Sequence, residues 1–110
     1  MNYIQKDKII KIIEMFYPHA KIYLFGSYAG NNSSKTSDLD IAIDAGSPMP
    51  LIDKAKIFSM IDVLNMPQKT DVVDFHRAPL SLQENILKHG IVWKNQVNCY
   101  GHILRSPQAI

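Results

Sequence analysis

Ile9, Ile10, Ile12, Ile13 and Phe16 recur at three- and four-residue spacing, while Lys6, Lys8, Lys11 and Glu14 fill the positions between them and Pro18 follows. This is the period of one helix face, so an amphipathic first helix is predicted to end before the proline. Lys21 to Phe25 is a β-rich run halted by Gly26, and Asp38 to Ile43 is a second, with Leu39, Ile41 and Ile43 on one face. Beyond the breaker stretch Gly46-Ser47-Pro48-Met49-Pro50, the positions Leu51, Ile52, Ala55, Phe58, Ile61 and Leu64 predict a helix with these residues as its apolar stripe, stopped by Asn65-Met66-Pro67. Thr70 to Phe75 reads as a third strand.

Ser81 and Glu84 have capping-box spacing, Leu82, Ile86 and Leu87 form an apolar stripe, and Gly90 stands where a helix end takes a left-handed residue. A last helix is expected there, and Ile91-Val92-Trp93 adds a short edge strand. The alternation of strands and helices predicts an α/β (α+β) class: a mixed β-sheet of about four strands with helices packed on it.

At 110 residues and 46% hydrophobic content the chain supports one core rather than two. Residues 1–95 carry the periodic pattern, and residues 96–110, which show none, are expected to be an irregular or disordered tail. A net charge of +2 with scattered lysines gives no basic groove, so direct nucleic-acid binding is not expected. The lone Cys99 excludes an internal disulfide framework and a cysteine zinc cluster. No apolar run reaches membrane-spanning length and the start lacks the apolar region of a signal peptide, which together point to the cytoplasm.

The chemistry concentrates in residues 26–44. On a strand, side chains at i and i+2 share a face, so Asp38 and Asp40 project side by side. Two carboxylates about 4 Å apart at an effective dielectric near 20 repel by roughly 4 kcal/mol, which a proton, solvent or a cation relieves. An all-oxygen donor set favours Mg²⁺ or Mn²⁺ over zinc. Gly26-Ser27, after a strand, offers backbone amides and a hydroxyl to an anion. An amide nest beside a carboxylate-bound cation is what phosphoryl transfer requires. A third carboxylate would come from Asp71 or Asp74, which lie on opposite faces of the third strand: Asp71 with Val73 and Phe75, Asp74 with Thr70 and Val72.

Gly26-Ser27, Asp38-Leu39-Asp40 ten residues on, and a later strand with an aspartate together resemble the signature of the DNA polymerase beta-like nucleotidyltransferase superfamily. The short chain, the helix before Phe25-Gly26-Ser27 and the Thr70-Asp71-Val72-Val73-Asp74-Phe75 strand are similar to its minimal nucleotidyltransferase (MNT) members, over residues 3–95. The resemblance implies that Gly26 and Ser27 hold the triphosphate of ATP, that Asp38 and Asp40 bind Mg²⁺ or Mn²⁺, and that Asp71 completes the catalytic and metal-binding triad. It also implies an antitoxin whose partner is a HEPN-domain toxin, acting by transfer of AMP to a tyrosine of that partner or, alternatively, by complex formation without catalysis. After Gly26-Ser27-Tyr28-Ala29 many members carry Arg or Lys and then Gly, whereas Gly30-Asn31-Asn32 stands here, which favours the non-catalytic alternative.

The remaining polar residues are expected to be structural. Asp44 marks a strand end, Asp53 and Asp62 lie on a solvated helix face, and His76 and Arg77 follow the third strand. Asp74, near a loop, is expected to tolerate Asn.

Overall fold

The computed structural model describes residues 5–26, 39–67 and 69–95. The elements run α1 (Lys6–Phe16), β1 (Lys21–Phe25), β2 (Leu39–Asp44), α2 (Leu51–Asp62), β3 (Thr70–Asp74), a 3-10 turn (Phe75–Arg77), α3 (Leu80–His89) and β4 (Ile91–Lys94). Ser27 and Asp38 of the expected site, and the tail 96–110, lie outside the described residues.

The four strands form one mixed sheet in the order β3-β2-β1-β4. β1 pairs antiparallel with both β2 and β4, and β2 pairs parallel with β3. Parallel neighbours need a crossover, and α2 supplies it between β2 and β3.

Alternation along the strands divides the core into two layers. Ile22 and Leu24 of β1, Leu39, Ile41 and Ile43 of β2, and Val72 of β3 face α1 and α2, meeting Ile9, Ile12 and Ile13 of the first helix and Ile57 and Ile61 of the second. Tyr23, Phe25 and Ala42 point the other way, against Phe75 of the 3-10 turn and Ile86 of α3. Helices therefore cover both faces, which is why β1 is buried along four of its five residues rather than alternately. Each fully buried Ile or Leu contributes about 1.5–3 kcal/mol of apolar transfer. Lys94 closes the β4 edge by donating to the carbonyls of Pro18 and Ala20 at 2.8 and 3.2 Å.

Three local expectations change. In α2 the buried positions are Ile57 and Ile61, while Leu51, Ile52 and Phe58 are 67, 61 and 42% exposed. Apolar residues ring this helix, so its period alone did not fix the inward face; packing between α1 and β3 does. The capping box at Ser81 does not form, because α3 begins at Leu80 after Pro79, whose carbonyl accepts from the amides of Leu82 and Gln83. α2 starts the same way after Pro50. Proline leaves its missing N–H at a place where a helix has no use for it. Gly90 is extended, with φ −72°, rather than left-handed. Its lack of a side chain serves a close approach instead: a Cβ there would sit 2.5 Å from the Ile86 carbonyl oxygen. Asn65, in the turn that follows α2, holds a left-handed φ of +56°.

Candidate active site

Asp40 is the second residue of β2 and pairs with Phe25 on one side and with Asp71 of β3 on the other. Cross-strand partners project to the same side of a sheet, so Asp40 and Asp71 share the α3 face, on neighbouring strands about 4.8 Å apart. Asp40 is half-buried and Asp71 is exposed, which sets the pair at the rim of the sheet.

Gly26 caps the end of β1 beside them. Its φ of +79° is left-handed, and a Cβ on it would overlap the Asp40 carboxylate. Only glycine satisfies both conditions, so the backbone of the turn is pressed against the acid. The structure thus brings three of the five expected site residues together: Gly26, Asp40 and Asp71. All the placed donor atoms are oxygens, the chemistry of a hard divalent cation. Among the described residues there is no cluster of three histidine, cysteine or carboxylate groups, and Asp38 lies outside that set.

Asp74 lies on the opposite face, as its register requires, and there it is buried and hydrogen-bonded rather than loosely placed near a loop. It is 3% exposed; its Oδ2 accepts from the Met49 amide at 2.7 Å and its Oδ1 from the His76 amide at 3.1 Å, with the Arg77 guanidinium 3.4 Å away. Arg77 also donates twice to the Met49 carbonyl, at 3.0 and 3.1 Å. His76 Nε2 meets Asp44 Oδ1 at 2.6 Å, and the same oxygen accepts from the Gly46 amide. Together these bonds clamp the β2–α2 connection to the end of β3, away from the acidic rim. Asp44-Ala45-Gly46, an aspartate two residues before a glycine, was the signal in the sequence for its turn. Asp53 is not simply solvated: it accepts from the Tyr17 hydroxyl at 2.5 Å, tying α2 to the end of α1. Burial first, then this bond and the charges of Asp53 and Asp74, push the Tyr17 hydroxyl up to about 12.

A small mixed sheet with an aspartate pair at its rim and a left-handed glycine against one of them is the frame of a nucleotidyl-transferring domain. The family model described as polymerase beta, nucleotidyltransferase matches residues 7–96, so the chain belongs to that family. Protein adenylyltransferase MntA of Shewanella oneidensis is 29% identical over an alignment covering 100% of this chain and 87% of that protein. A relative from Methanocaldococcus jannaschii is 30% identical, over 74% of this chain and 88% of its own length. Among solved structures, a chain of a toxin–antitoxin with AMP-PNP superposes with a TM-score of 0.71 at 27% identity, covering 84% of this chain and 75% of that one. A structure of a tri-AMPylated Shewanella oneidensis HEPN toxin in complex with MNT antitoxin matches with a TM-score of 0.64 at 27% identity, over 83% of this chain and 70% of that one.

Proposed function

We propose that this chain is a divalent-metal-dependent adenylyltransferase that moves AMP from ATP to a hydroxyl, a tyrosine of a HEPN-domain toxin, and thereby acts as its antitoxin in the cytoplasm. The observation that carries the reading is the register of Asp40 against Asp71, on the face where Gly26 packs on Asp40. The names of the similar proteins, a protein adenylyltransferase and a HEPN toxin complex, support the choice of acceptor.

The oxygen donors fit Mg²⁺ or Mn²⁺, which Asp38, Asp40 and Asp71 would hold. The ion, when bound, neutralises charge developing on the phosphates. Gly26 and Ser27 would hold the triphosphate, and the left-handed φ of Gly26 lets its backbone approach an anion closely. Asp71, the exposed member of the pair, receives the proton of the attacking hydroxyl. The acceptor oxygen bonds to the α-phosphorus, the bond from that phosphorus to the bridging oxygen breaks, and pyrophosphate leaves.

The absence of Arg or Lys after Ala29 favours a second reading, an antitoxin that neutralises by complex formation alone. Intact mass of a co-expressed HEPN-domain chain decides between them. AMP additions of about 329 Da each that vanish with Asp38→Asn, Asp40→Asn are expected; an unmodified toxin that is still neutralised would establish the second reading.

A further inference from the structure

The outer face of α2 carries apolar residues that the core does not use. Leu51, Ala55 and Phe58 recur at i, i+4 and i+7, and with Lys54 they form one wall of a groove whose other wall is Asp71 and Val72 of β3. Phe58 is 42% and Leu51 67% exposed, so this wall faces solvent. β3 is an edge strand of the sheet, and among the described residues no strand pairs with its outer side. Among the described residues, the outward backbone groups of β3 therefore run alongside the apolar stripe without a strand partner.

We propose that this groove is where the acceptor protein docks: an extended segment carrying the target hydroxyl, laid along the β3 edge with apolar side chains against Leu51 and Phe58. The proposal rests on the transfer reading above and adds the surface that delivers the substrate. Asp71 is the argument for this occupant. It lines the groove and shares a sheet face with Asp40, so a chain that follows the edge passes with a side chain beside the acidic pair. Main-chain pairing supplies affinity in such an arrangement, and the apolar wall supplies register. A second copy of this chain is a poorer occupant. A two-fold contact is self-complementary and would bring two acidic rims into one interface, a like-charge juxtaposition. The opposite edge, β4, exposes Ile91 and Val92 but is separated from β3 by both central strands.

The test uses the full chain with a purified HEPN-domain toxin as probe, measuring AMP transfer against toxin concentration. Leu51→Glu, Phe58→Glu is the test variant, the single Leu51→Lys is a milder one, and Val92→Glu is the control. Because the altered side chains are solvent-exposed, the circular dichroism spectrum and Mg²⁺-ATP affinity should match the parent. The expected result is a KM for toxin raised by ~10-fold or more in the double variant. A smaller rise in the same direction is expected for Leu51→Lys, with kcat at saturating toxin preserved and the control unchanged. An unchanged KM in both groove variants of an active enzyme would overturn the docking surface while leaving the transfer reading intact. So would a parent self-association that the variants abolish without moving KM. If the parent binds Mg²⁺-ATP yet transfers nothing to the toxin, the acceptor reading itself falls and the proposal with it.

Discussion

Gly26 lies against Asp40 so closely that a single added methyl would overlap its carboxylate, and the glycine holds a φ of +79° that other residues adopt at a cost. The end of β1 and the start of β2 are thus fitted to each other at the acidic rim. Gly26→Ala should lower stability by about 1–3 kcal/mol through the left-handed backbone alone. The displaced carboxylate should also weaken nucleotide binding. Thermal unfolding together with ATP titration checks this, and a variant with parental melting temperature and affinity would contradict it.

The proposed metal dependence rests on the oxygen-only donors and is directly testable. ATP should bind measurably with Mg²⁺ or Mn²⁺, and Asp38→Asn, Asp40→Asn should keep the fold while losing that dependence. Calorimetry in EDTA giving the same affinity as in Mg²⁺ would remove the metal from the site.

Asp71 and Asp74, on opposite faces of one strand, should fail in different ways. Asp71→Asn should spare folding and reduce single-turnover AMP transfer by ~10²- to 10⁴-fold, the scale of a lost general base. Asp74→Asn should instead cost about 1–3 kcal/mol, because Oδ1 and Oδ2 each accept from a backbone amide and an Asn must turn a donor toward one of them. Denaturant unfolding and transfer rates on both variants separate the two roles; a fully stable but inactive Asp74→Asn would reverse them.

Tyr17 gives a signature at high pH. Its folded pKa is raised from 10.0 to about 12, so the protonated form is the one the fold favours. The contribution of this group is fully present below pH 10 and is lost as pH rises through about 12. Tyr17→Phe should flatten that loss in unfolding measurements between these values. It should also remove a late-titrating phenol from the ultraviolet absorbance profile.

Much of this was legible in the chain. Short runs such as Lys21–Phe25 and Thr70–Asp74 were bounded by breakers and rich in β-formers, and their period of two put Asp71 and Asp74 on opposite faces before any packing was known. The face of α2 was not legible, because Leu51, Ile52, Ile57, Phe58 and Ile61 leave no polar side to read. Nor was the role of Asp74: its burial depends on the Met49 amide, brought to it from a connection far away in sequence. The same limit hid the bond from Tyr17 to Asp53. Local pattern fixes which way a strand residue points, whereas the partner it meets there is decided by the crossover.

That crossover has a consequence for how the protein comes to exist. Asp40 and Asp71 become neighbours only when β3 returns parallel to β2, and α2 must be laid down between them for it to do so. A hairpin of β1 and β2 can bring Asp40 to Phe25 early, but the second carboxylate arrives only with closure of a long loop, the entropically costly step in forming such a sheet. A nascent chain therefore holds only part of the candidate site until β3 docks. The ability to capture a metal nucleotide should appear abruptly, as a late event in folding, rather than growing in step with secondary structure.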